Sequence, residues 1–176
     1  MIKHSIAPNG THEWFLNGEW HREDGPAVIA LNGYQAWYLN GFLHREDGPA
    51  VITETGIQRW YQNDKCHRTD GPAEIRPDGT QRWYLNGMPH REDGPAVILP
   101  DGYQGWHLNG EWHRTDGPAI IHSDGREAWC VNGKLHRENG PAIIHENGKK
   151  EWYINGEKIK PKKLLKNLKF SIKDGF

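Results

Sequence analysis

The residues with the most chemistry in this sequence recur in rows. His21, His44, His67, His90, His113 and His136 each open a segment His-Arg-x-Asp-Gly-Pro-Ala, with Asn139 in place of Asp in the last copy. His and Asp three residues apart are metal-ligating types. Two ligands per copy leave a tetrahedral site incomplete, and one site is not expected six times over. No metal and no cofactor are therefore expected, and each His is read as packing or hydrogen-bonding beside its neighbour's strand. Arg22, Arg45, Arg68, Arg91, Arg114 and Arg137 form a second row. Guanidinium groups spaced by two strand widths, about 9.6 Å, suit a polyanion or a phosphorylated partner. Asp24, Asp47, Asp70, Asp93 and Asp116, two residues on, support the other reading: an Arg–Asp ladder that neutralises itself and pins the Asp-Gly-Pro turn. No glycine-rich phosphate loop or nucleophile elbow accompanies the rows. No catalytic residue is assigned, and the chain is expected not to be an enzyme.

Three further features bear on binding. Trp20 and Trp112 occupy a position that holds Leu43, Cys66, Pro89 and Leu135 in other copies. They fill apolar space or, if exposed, anchor a partner. Residues 157–176 carry seven lysines against Glu157 and Asp174, a net charge of +5 that leaves −6 on residues 1–156 of the total of −1. Within this tail Leu164, Leu165 and Leu168 have the spacing of a short helix face, read as a C-terminal capping helix. Lys158, Lys160, Lys162, Lys163, Lys166 and Lys169 are its solvated face or a docking patch for nucleic acid or an acidic membrane. Cys66 and Cys130 are too few for a disulfide framework and are read as apolar fillers in a reducing compartment. Residues 1–10 lack the apolar run of a secretory signal, so a cytoplasmic location is expected. With a mean hydropathy of −0.89, no stretch is apolar enough to cross a membrane as a helix.

The elements that position these rows follow from a repeat. Trp14, Trp37, Trp60, Trp83, Trp106, Trp129 and Trp152 stand 23 residues apart without insertion or deletion. Each is followed three residues later by Asn, then by Gly in six copies and by Asp64 in the third. Asn-Gly between apolar residues marks a hairpin, because a type I′ turn needs positive φ at both centres. A second turn, such as Pro77-Asp78-Gly79 or Pro100-Asp101-Gly102, closes the other end of each strand pair. With 21 Gly and 11 Pro, the chain is ill suited to helix. The predicted fold is all-β: an elongated, single-sheet antiparallel meander, a solenoid of six 23-residue hairpin repeats. Half repeats stand at its ends and the short C-terminal helix follows. The array spans residues 1–157 and the basic tail residues 158–176.

Each repeat should supply a first strand of about five residues, such as 35–39, and a second running from 42 to about 52. The surplus length in the second is the His-Arg-x-Asp-Gly-Pro segment, read as a bulge. Strand parity puts Trp37 and Leu39 on one face and Tyr38 on the other, with Val51 opposed to Ala50 and Ile52. The periodic Trp are expected to form the core, each buried against the Trp and Ile of the next repeats. The Tyr and Val face is expected to meet water or a second copy of the chain.

This pattern resembles the variant form of the MORN (membrane occupation and recognition nexus) repeat. The matching residues in one unit are Trp83, Asn86-Gly87, His90, Gly94, Ile98 and Asp101-Gly102. The unit departs from the family where His-Arg replaces its common His-Gly and where Asp-Gly-Pro-Ala lengthens the middle. The resemblance implies a hairpin meander that scaffolds, dimerises and binds proteins, encoded in bacteria, phages or large viruses.

The functional expectation is a non-enzymatic scaffold that binds a protein partner through its long surface, in a viral setting a host protein. Arg22, Arg45, Arg68, Arg91, Arg114, Arg137, Trp20 and Trp112 are the candidate contacts, and homodimerisation is a further expectation. The alternative is an anion-binding module for nucleic acid, nucleotide or acidic phospholipid, built on the Arg row and the Lys-rich tail.

Overall fold

A computed structural model describes residues 1–160. The helix expected at Leu164, Leu165 and Leu168 lies outside the described residues. The chain divides into two compact units, Met1–His90 and Arg91–Phe176. Among the described residues every regular element is a strand, so the all-β antiparallel hairpin meander expected from the repeat is the fold.

Two turns generate each repeat. At the first, Asn40 and Gly41 hold φ of 51° and 80°, the left-handed pair that a type I′ turn requires. They fold Tyr38–Leu39 onto Phe42–Leu43, with Tyr38 opposite Leu43 and Leu39 opposite Phe42. In the third copy Asn63 and Asp64 adopt the same angles, 48° and 62°. Asp64 then uses its side chain, whose Oδ1 accepts from Leu43 N–H at 2.7 Å. At the second turn Asn32 Oδ1 accepts the N–H of Tyr34, and Gly33 N–H donates back to Ala30 O. That turn joins Val28–Ile29 to Gln35–Ala36.

In the first unit the central sheet runs in the order Lys3–Ile6, His12–Leu16, Val28–Ile29, Gln35–Ala36, Val51–Ile52, Gln58–Arg59, Glu74–Ile75, Gln81–Arg82. Glu19–Trp20 pairs beside His12–Leu16. In the second unit the order is Val97–Ile98, Gln104–Gly105, Ile120–Ile121, Glu127–Ala128, Ile143–Ile144, Lys150–Ile154, Glu157–Ile159. Each pairing within a unit is antiparallel.

The expected long second strand is not continuous. An internal repeat has four strands of two residues, two in the central sheet and two in an outer hairpin. The fork is the Trp. Trp37 N–H donates to Ala50 O at 2.8 Å, while Trp37 O accepts from His44 N–H at 3.1 Å. His44 and Ala50 therefore both bond Trp37, and residues 45–49 bulge out between them. The ladder runs unbroken where that segment is missing: Lys150–Ile154 passes through Trp152, which pairs with Ile159. Each bulge is tied to the next repeat, since Arg45 N–H donates to Tyr61 O and Asp64 N–H to Leu43 O.

The core corrects the expected Trp stack. Ala27, Ala50, Ala73, Ala96, Ala119 and Ala142 are wholly buried, at 0% exposure, whereas the periodic Trp are only half-buried. On the other face Val28, Ala36 and Val51 form a small cluster covered by Tyr34, Tyr38, Leu43 and Tyr61. The reason is spacing. One Trp per two strands places neighbouring rings about 9.6 Å apart, beyond the ~4.5–7 Å at which aromatic rings pack. Something else has to fill the gap.

Candidate partner-binding site

Arginine fills it. Arg22, Arg45, Arg68, Arg114 and Arg137 lay their guanidinium groups on Trp14, Trp37, Trp60, Trp106 and Trp129, at 3.8–4.1 Å from the ring centroids. On the other side is the Gly of Asp-Gly-Pro. A Cβ built on Gly48 would stand 2.9 Å from Arg45 Cζ, and on Gly117 2.7 Å from Arg114 Cζ. This Gly is required for close approach, since its φ is not in the left-handed region. Nε and Nη1 are engaged locally. Nε of Arg22, Arg45, Arg68, Arg91 and Arg114 donates to the Asp two residues on at 2.7–2.8 Å. Nη1 donates to the Pro carbonyl four residues on at 3.2–3.4 Å, and in Arg137, which has no Asp partner, at 3.1 Å.

The Arg row therefore lies inside each repeat. Arg22, Arg45, Arg68, Arg91 and Arg114 are 22–24% exposed, and their Asp partners 78–84%. The hydrogen bond from Arg22 holds the Asp24 carboxyl below the usual carboxylate range, and the same holds for Asp47, Asp70, Asp93 and Asp116 with their arginines. The surface that these segments present is anionic.

The His row makes the joint between repeats. Asn40 N–H donates to His21 Nδ1 at 3.0 Å, and Asn40 Oδ1 lies 3.0 Å from the same nitrogen. His44–Asn63, His67–Asn86, His113–Asn132 and His136–Asn155 repeat the side-chain contact at 2.8–3.1 Å. The turn Asn thus supplies the positive φ and receives the previous repeat's His. Among the described residues no group of three or more His, Cys, Asp or Glu is placed to hold a metal ion.

Between successive bulges lie clefts of one design. One, of about 810 Å³, is lined by Glu23, Asp24, Trp37, His44, Glu46 and Asp47 among others. The next, of about 430 Å³, includes Glu46, Asp47, Trp60, His67 and Asp70. In the second unit a cleft of about 530 Å³ includes Asp116, Trp129, His136 and Glu138. Each has a Trp among its lining residues and carboxylates around it.

The remaining candidates separate. Trp20 is 36% exposed and packs on Tyr38 with ring centroids 5.0 Å apart. Trp112 is half-buried on His107 at 3.8 Å, above Gly105, where a Cβ would meet the indole at 2.8 Å. Lys158 is engaged with Glu151 at 2.6 Å, and Lys160 is exposed. Lys162, Lys163, Lys166 and Lys169 lie outside the described residues.

Two groups escaped the reading by rows. Glu74 is buried at 6% exposure and bonds Arg59, Arg76 and Arg82 at 2.7, 2.6 and 3.1 Å. The repeat register carries the signal: Val28, Val51, Val97, Ile120 and Ile143 stand at its position in other copies. The second is His107, buried where most copies have Tyr, with no hydrogen-bond partner at Nδ1. Burial holds its pKa below the usual value. The protonated form is thus disfavoured by folding, so this group's stabilising contribution is complete above pH ~6.5 and is lost as pH falls through the lower folded value. Urea denaturation of the wild type and of His107→Phe between pH 7.5 and 5 is expected to show a slope of up to ~1.4 kcal/mol per pH unit that the variant lacks. Equal slopes would remove His107 as its source.

No family model matches the sequence, and no curated protein matches it, so its function is read from its own geometry.

Proposed function

We propose that this chain is a non-enzymatic repeat scaffold that binds a protein partner through the clefts between the Asp-Gly-Pro bulges within its units. The observation that carries the reading is the recurrence of one lining, an aromatic with surrounding carboxylates, from cleft to cleft. A partner segment in polyproline II form advances about 3.1 Å per residue with three residues per turn, so basic side chains three residues apart share a face and match clefts about two strand widths apart. The exposed groups, Glu23 and Glu46 at 81% and 86% and the Asp row, favour lysine or arginine in that segment. The bonding of the guanidinium groups to Asp and Pro favours this reading over anion binding by the Arg row. The 23-residue unit, its Asn-Gly hairpins and the antiparallel meander support a MORN-like assignment as part of the same proposal.

The test is affinity capture from the native host with the full chain and with Glu23→Lys/Glu46→Lys, followed by direct titration of the purified protein recovered. A partner retained by the wild type, released by the double variant and weakened by salt is the expected result. Capture that is indifferent to both charge reversals would sink the proposal.

A further inference from the structure

The third repeat departs from its siblings on one face. In the register of the central sheet, Val28, Ala36, Val51, Arg59, Glu74 and Arg82 stand opposite one another in sequence across the strands of the first unit. The first three are apolar and the last three charged. At the positions of Arg59 and Arg82 the other internal copies carry Ala36, Gly105 and Ala128, and the end copies carry Glu13 and Glu151. The scaffold closes without these charges, and an ion pair at such a site contributes no more than well-packed apolar residues would.

The cluster is also unbalanced. Glu74 is the one carboxylate bonded to them, while exposed Asp78 feels the charges of Arg76 and Arg82, and both Glu74 oxygens are taken: Oε2 by Arg59 Nε, Oε1 by Arg76 Nε and Arg82 Nη1. Three guanidinium groups are thereby held by one buried anchor, and the cluster stays net positive with Asp78 included. Each arginine is about 30% exposed, so its outer edge reaches solvent. Their remaining N–H groups have no acceptor among the described residues. Tyr61 and Tyr84, two residues beyond Arg59 and Arg82, stand on the same face and are half-buried.

We propose that Arg59, Arg76 and Arg82, gathered on Glu74, form a binding site for a phosphate monoester group. Such a group carries a charge of about −1.5 to −2 at neutral pH and offers three acceptor oxygens, complementing a net positive cluster with free N–H groups on three arginines. Arginine suits this task because its planar fork bonds phosphate oxygens in pairs. The site is separate from the cleft row and does not depend on how that row is used.

Calorimetric titration of the full chain at low ionic strength, with inorganic phosphate and with a phosphoserine peptide, tests this. One phosphate group per chain is expected to bind. Arg76→Ala and Arg82→Gln should each weaken it about tenfold, the loss expected for a charge-assisted hydrogen bond. Arg126→Ala, which removes an arginine paired with Asp124 in the second unit, should leave it unchanged. Arg76 precedes a turn and is the milder change, and Trp fluorescence checks that both variants fold. A peptide bound more tightly than inorganic phosphate places the group on a protein, and equal affinities make free phosphate the ligand. No binding of either, or binding that folded Arg76→Ala and Arg82→Gln leave unchanged, would overturn the site.

Discussion

Replacing Glu74 alone by leucine is expected to lower the unfolding free energy by about 3 kcal/mol, the low end for breaking a buried ion pair, because the arginines keep some access to water. The change strands Arg59, Arg76 and Arg82 around an apolar side chain where Glu74 now bonds all three. Burial by itself raises the Glu74 pKa, and hydrogen bonds from Arg59 and Arg76 more than offset that, so the carboxyl is held below its usual range. The combined variant Arg59→Ala/Glu74→Val/Arg82→Ala should behave differently. It writes the residues of Ala36 and Val51 into the third repeat, and it is expected to match or exceed the wild type in stability. Urea denaturation decides. A combined variant as unstable as the single one would show that the ion cluster stabilises the repeat in its own right. A stable combined variant that no longer binds phosphate would separate what the cluster does from what holds the fold.

The second large effect is expected at the Trp row. Trp60→Ala should cost about 3 kcal/mol, the low end of the range for a large aromatic because the ring is half-buried. Part of that cost belongs to Arg68, whose guanidinium stands 4.1 Å from the ring centroid. A double-mutant cycle with Arg68→Ala should show a coupling of about 0.5–1 kcal/mol. Zero coupling would mean that the two side chains share a place without sharing energy. Trp20→Ala, which removes a partly exposed ring outside the row of periodic Trp, should cost only about 1 kcal/mol.

The positions of the turns were readable because they depend on local chemistry. Asn40-Gly41 and its equivalents demand positive φ, and few residues other than Asn and Gly supply it cheaply. Face assignment was readable for the same kind of reason: Tyr38 and Val51 share a face by strand parity, and both belong to the small covered cluster in the first unit. The strand lengths were not readable. The surplus in residues 42–52 marks a bulge, but nothing in it says that Trp37 will bond both His44 and Ala50 and so end the strand on either side. That choice depends on two partners from different parts of the repeat meeting one backbone.

The Arg row shows the same division. Spacing established that six arginines recur beside five aspartates, and both a polyanion surface and a self-neutralised ladder were consistent with it. Only the packing decided, because the Trp eight residues earlier and the Gly three residues later meet in space around the guanidinium. Glu74 lay open to a column-by-column reading of the repeats, yet its three partners come from three different stretches of chain. By itself the sequence determined the period, the turns and the all-β meander, since these follow from backbone angles and side-chain alternation within 23 residues. The tertiary structure decided which rows are core, which charges are spent internally and which face the solvent, because those outcomes rest on distances between strands.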